Sequence, residues 1–222
     1  MEIIMNSKNS FISDPTNTLS LKKSRFTEML IEENALDRSG FERWIFCQGM
    51  LYNSPDKWWG DYGQRDYPHE GIDLCLYRDL SRRIRRIDQK IRIPVMHDGV
   101  VRAIIKDYLG KAVMIEHKSS QSDTGRFISL YAHTNPCPDI KVGMILNEGD
   151  IIANLADTSK SNSHIMPHLH LSFGLPSKSF SHDSFVWNAM RTPEIMILID
   201  PLSVLDWPYQ ALDAADPACR QL

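Results

Sequence analysis

The chain has 222 residues, with 25 Lys and Arg against 28 Asp and Glu and a formal net charge of −3. So balanced a charge supplies no global basic field for nucleic acid, and the longest uninterrupted apolar run, Ile195 to Ile199, falls far short of the ~20 residues that cross a bilayer, so no transmembrane segment is expected. At 42% hydrophobic and 24% charged residues, the composition is that of an ordinary globular domain, long enough for a single core with an appendage.

The first twenty residues are rich in Ser, Asn and Thr and have no clear period, so they read as a loosely held arm. Met1-Glu2 lacks the basic start of a secretory signal, and no apolar stretch of suitable length follows. Phe26, Met29 and Leu30 recur at helical spacing between Ser24 and Leu36, and Arg38-Ser39-Gly40 supplies a stop. The division expected is a partly helical N-terminal arm over residues 1–40, a main domain over 41–210 and a C-terminal tail over 211–222. From Phe41 onward, short apolar segments alternate with turn residues. Leu74 to Tyr77, Gly99 to Ile105, Ala112 to Ile115, Phe127 to Ala132, Ile151 to Leu155 and His168 to Phe173 read as strands. Breaks fall at Leu109-Gly110, Pro136 to Pro138, Glu148-Gly149 and Gly174 with Pro176. The expected fold is mainly β, a single antiparallel β-sheet sandwich or partly open barrel with a short N-terminal helical arm. A helical turn is expected at Trp187 to Met190, and Asp200-Pro201-Leu202 closes the domain. Cys47, Cys75, Cys137 and Cys219 are too widely spaced for a zinc knuckle or a dithiol redox motif; their plain reading is as partly buried free thiols, although an even number permits disulfides.

Three segments carry residues suited to chemistry: Pro68 to Asp73, Leu130 to His133 and Pro167 to Leu171. If residues 168–173 are extended, His168 and His170 share one face. By themselves they serve equally well as exposed polar positions. With a third imidazole and a carboxylate beside them they make a metal site. His69-Glu70 looks like the start of a His-Glu-x-x-His zinc helix, but Asp73 stands where the second histidine belongs and Gly71 disfavours a helix interior, so a loop feeding a strand is expected. His69 and Asp73 still suit one Zn²⁺, and two histidines with one carboxylate leave a fourth position open for water.

Taken together, His69-x3-Asp73, Tyr131-Ala132-His133 and His168-x-His170 resemble the lysostaphin-type, or LytM-like, zinc metallopeptidases. The resemblance runs from about Trp58 to Leu205. It includes the strand–turn–strand of Pro94 to Val101, the glycine turns at Val142-Gly143 and Glu148-Gly149, and the closing Asp200-Pro201-Leu202. It implies one Zn²⁺ held by His69, Asp73 and His170, with His133 and His168 as the unligated pair that handles protons and stabilises charge. It also implies hydrolysis of peptide bonds in peptidoglycan cross-bridges or stem peptides, and a place in the cell envelope or periplasm. Alternatives on the same fold are a zinc peptidase acting on a protein and a non-catalytic binder or activator of cell-wall amidases. Such non-catalytic members typically lose zinc ligands, whereas all five polar positions are present here.

Two departures from the family pattern stand out. No glycine occurs from Asn154 to Met166, where a glycine-rich stretch is usual, and Ser172 stands where an acidic residue is frequent. Neither is expected to touch a proposed ligand, and both are expected to lie near the cleft rim and bear on substrate choice more than on catalysis. Arg82, Arg83, Arg85 and Arg86 form a basic run that reads either as a solvated loop balanced by nearby acids or as a surface for an anionic partner. Trp58-Trp59 suits a substrate groove or core packing. His97, His117, His164 and His182 are expected to be non-catalytic.

Overall fold

The computed structural model describes residues 22–119, 125–159, 165–182, 185–213 and 215–220, which leaves the first part of the expected arm, and His164, outside the described residues. A helix, α1, spans Phe26–Glu33 and buries Phe26 and Leu30 against the main body. Its entry is tied down where Ser24 Oγ donates to the Met96 carbonyl at 3.0 Å. The helix therefore belongs to the core.

Thirteen strands follow among the described residues. The first five are β1 (Phe41–Phe46), β2 (Ile72–Leu74), β3 (Leu76–Asp79), β4 (Ile84–Arg86) and β5 (Arg92–Pro94). The long central strands are β6 (Gly99–Lys106), β7 (Lys111–Lys118) and β8 (Arg126–Pro136). The remainder are β9 (Ile145–Leu146), β10 (Ile151–Leu155), β11 (Leu169–Pro176), β12 (Met196–Ile199) and β13 (Tyr209–Ala211). They form two open sheets. The larger runs β12-β11-β8-β7-β6-β9, with β2 added on β11 and with β10 pairing β5 and β8. The smaller has the order β13-β1-β3-β4. The mainly β class read from the sequence is the class observed, and neither sheet closes into a barrel. Trp187 to Arg191 forms the expected helical turn as a 3₁₀ helix.

Both faces of the central strands are covered. Along β8, Phe127 and Tyr131 point into the main core, while Ile128, Leu130 and Ala132 join a second cluster with Phe180, Phe185 and Met190. This two-sided burial explains why Ala112 to Ile115 and Phe127 to Ala132 read as nearly continuous apolar runs rather than as alternating strands.

Two findings differ from the sequence reading. One strand pair is parallel: β13 returns from far along the chain to lie beside β1. The same return corrects the reading of four free thiols, because Cys47, directly after β1, is joined in a disulfide to Cys219, 172 residues away. No local spacing marks such a pair. Cys75 and Cys137 are free. The basic run lies on the β3–β4 hairpin, where Asp79 accepts from Arg85 Nε at 2.8 Å and from the Arg83 backbone at 2.9 Å. No helix among the described residues is long and apolar enough to cross a membrane.

Candidate active site

The close approach of two backbones makes the site. β2 pairs antiparallel with β11 in a register that sets Asp73 directly opposite His170 and Ile72 opposite Leu171. On its other edge β11 pairs with β8, with His170 opposite Ala132. His69 arrives on the loop ahead of β2, as the glycine at position 71 suggests. A Cβ at Gly71 would sit 2.2 Å from the Leu171 carbonyl oxygen, so the strands meet this closely only because the residue has no side chain.

Three donor atoms converge there. His69 Nε2 and His170 Nδ1 are 2.9 Å apart, and each is 3.1 Å from Asp73 Oδ1. All three side chains are almost completely buried. The outward-facing atoms are held by neighbours. His69 Nδ1 donates to the Leu51 carbonyl at 3.1 Å, which leaves the Nε2 lone pair directed inward. Trp58 Nε1 donates to Asp73 Oδ2 at 2.6 Å, so Oδ1 faces the centre. His170 Nε2 lies 2.8 Å from Ser172 Oγ, and donation to that oxygen turns the Nδ1 lone pair inward as well. This corrects the expectation that Ser172 touches no proposed ligand, since its hydroxyl is in direct contact with His170.

Inward lone pairs and a carboxylate oxygen packed this closely repel one another unless a cation lies among them. Two imidazoles and a carboxylate are a donor set suited to zinc, and donors about 3.3 Å apart would surround a tetrahedral Zn²⁺, slightly wider than the separations here. The residues fit the ion. Burial opposes ionisation of Asp73, but the imidazoles of His69, His168 and His170 around it outweigh the burial and hold the carboxyl well below its ordinary range.

His133 and His168 complete the group, with ring centroids 4.7 Å apart. His168 Nδ1 donates to the Met166 carbonyl at 2.9 Å, and Nε2 lies 3.8 Å from Asp73 Oδ1. Burial pushes the His168 imidazole down to about 3, so at neutral pH it is uncharged and keeps Nε2 as an acceptor. His133 sits in β8 with φ +61°, a left-handed conformation at a register shift between β7 and β8. All five residues singled out in the sequence line one cleft of about 490 Å³.

Further residues of the cleft carried no motif. Glu70, half of the false zinc-helix match, accepts from Arg191 Nε at 2.5 Å and from Trp187 Nε1 at 3.1 Å. Burial alone would raise the Glu70 carboxyl, but the charge of His170 and the Arg191 contact bring it below its ordinary value. Asp107 reaches His133 from the β6–β7 turn; its only sequence signal is an aspartate three positions ahead of a glycine at a strand break. Of the two tryptophans, Trp58 is buried behind Asp73, while Trp59 faces the cleft with the Arg65 guanidinium 4.3 Å above its ring.

Residues 85–180, a little under half of the chain, match the sequence model of peptidase family M23. This stretch is similar to that family. The matched stretch contains His133, His168 and His170, whereas His69 and Asp73 precede it and enter the site through β2 and its leading loop. No curated protein sequence matches the chain. Solved structures similar to it include lysostaphin of Staphylococcus simulans, 20% identical over 67% of this chain and 50% of lysostaphin with a TM-score of 0.40. Csd3 of Helicobacter pylori is 19% identical over 82% of this chain and 38% of Csd3, with a TM-score of 0.40. LytU is 20% identical over 70% of this chain and 89% of LytU, with a TM-score of 0.39. The chain thus spans about half the length of lysostaphin and less than half that of Csd3.

Proposed function

We propose that this chain is a zinc-dependent metalloendopeptidase that hydrolyses peptide bonds in peptidoglycan cross-bridges or stem peptides. His69, Asp73 and His170 hold the ion, and His133 and His168 handle protons. The observation that carries the proposal is the convergence of two inward imidazole nitrogens and one carboxylate oxygen beside two further imidazoles in one cleft. The match of residues 85–180 to the model of peptidase family M23 supports it.

A Zn²⁺ held there would supply Lewis-acid polarisation of the scissile carbonyl and would lower the pKa of a water in the open position toward ~7. The chain's own residues do the rest. Neutral His168, with Nδ1–H engaged by Met166, offers Nε2 as a proton acceptor inside the cleft. His133, across from it, is placed to give a proton to the departing amine or to hydrogen-bond developing negative charge on the carbonyl oxygen. Trp59 and Trp187 give the cleft flat apolar walls against which a peptide backbone can lie. No nucleophilic serine or cysteine is required.

The test is digestion of purified peptidoglycan with mass analysis of the fragments, comparing wild type with His133→Ala. Release of peptides by wild type is expected, with the variant retaining its metal and losing at least ~100-fold in turnover. Equal turnover by the variant would remove His133 from the mechanism. Release of no peptide by zinc-loaded wild type would contradict the assignment of substrate.

A further inference from the structure

We propose that Asp107 is the positioning residue of His133, holding the imidazole with Nδ1 protonated and Nε2 turned into the cleft and balancing the charge the ring gains when it takes a proton. The inference deepens the proposed function, since it rests on a proton-handling role for His133.

The argument starts with the backbone. A left-handed conformation at a non-glycine residue costs roughly 1–2 kcal/mol and persists only where its surroundings enforce it. At His133, φ is +61° and the pairing of β7 with β8 slips from Val113–Tyr131 to Lys111–Thr134, so the residue sits in an irregularity that re-aims its side chain. The enforcing group is Asp107, whose Oδ2 accepts the His133 backbone N–H at 2.7 Å. The other oxygen, Oδ1, accepts the backbone N–H groups of Leu109 at 2.9 Å and Gly110 at 2.6 Å, so the turn clamps its own carboxylate. That turn is wedged in place: a Cβ at Gly110 would lie 2.6 Å from the Thr134 carbonyl oxygen and 2.8 Å from Ala156 Cβ.

The ring contact completes the arrangement. His133 Nδ1 is buried, makes no directed hydrogen bond, and lies 3.3 Å from Asp107 Oδ1 at ion-pair distance. Only 3% of the Asp107 side chain is exposed, so water does little to screen the pair. A proton on Nδ1 is favoured by this carboxylate, which leaves Nε2 for the cleft. Burial works against the Asp107 anion, but the adjacent His133 ring and the backbone N–H groups of His133 and Gly110 outweigh it and bring the carboxyl down to about 2. Capping the turn needs only the backbone contacts; the carboxylate on Nδ1 is what serves chemistry at His133.

The test uses the full chain with ¹⁵N-labelled histidine. Wild type is expected to show His133 as the Nδ1–H tautomer, and folded Asp107→Asn to show loss of that tautomer with unchanged zinc content. Turnover on peptide substrate should fall ~100-fold or more in kcat, with KM within about threefold. Retention of the Nδ1–H tautomer in the folded variant overturns the proposal. Should Asp107→Asn not fold, His133→Ala with ¹³C observation of the Asp107 carboxyl decides: titration near its ordinary ~3.9 rather than about 2 supports the pair, and an unmoved titration overturns it. The tautomer and the carboxyl are read without substrate, so a wild type that hydrolyses nothing defeats the proposed function while leaving this result to stand or fall separately.

Discussion

Each donor atom at the centre of the site is aimed by a group that is not itself a candidate ligand: Leu51 for His69, Trp58 for Asp73 and Ser172 for His170. Such partners fix tautomer and orientation and commonly contribute 10–100-fold to metal affinity. Trp58→Phe keeps most of the packing against the His168 ring, 5.0 Å away, and removes only the N–H on Asp73 Oδ2. A zinc affinity weakened about 10-fold is expected, read by competition with a chromogenic chelator. An unchanged affinity would reduce Trp58 to core packing. At this scale the five polar residues were legible through their resemblance to the lysostaphin-type pattern, since spacing alone left His168 and His170 open as exposed polar positions. Their supports were not: a backbone carbonyl, an indole N–H and a turn aspartate carry no motif, and only folding brings them within reach.

The elements set the ligands in register. β2 is three residues long, yet through its pairing with β11 it brings Asp73 opposite His170. Gly71 permits that approach, so Gly71→Ala must push the strands apart or shift the register. A loss of at least ~2 kcal/mol in stability, together with weakened zinc binding, is expected from denaturant titration and metal analysis. Wild-type values for both would show that β2 can move without disturbing the site. The strands that define the larger sheet were readable from period-2 and continuous apolar patterns, and Ile151–Leu155 was read with the bounds observed. The parallel β1–β13 pair and the disulfide beside it were not, because both depend on contacts between opposite ends of the chain. Nor was the irregularity at His133, which reads in sequence as one more residue of a strand.

Across the whole molecule, buried polar groups outside the cleft set its response to acid. His117 lies deep between the strands, with Nδ1 donating to the Asp98 carbonyl at 2.9 Å and Nε2 2.7 Å from Ser129 Oγ. Burial lowers its pKa from 6.5 to about 4. In this window the unfolded chain binds a proton that the folded chain does not. The resulting stability is present above pH 6.5 and lost as pH falls toward about 4. His117→Gln should therefore lose less stability than wild type between pH 7.5 and 4.5, by about 2–3 kcal/mol in urea titrations. Parallel losses would show that His117 takes up its proton in the folded state. The fold as a whole brings three separated segments, near residues 70, 133 and 169, to one cleft, and the account depends on a metal at their meeting point. The most direct measurement is the metal content of the purified full chain beside His170→Ala. One zinc per chain in wild type and loss of that zinc in the variant is the result predicted. A wild type without stoichiometric zinc, or a variant that retains it fully, would contradict the account.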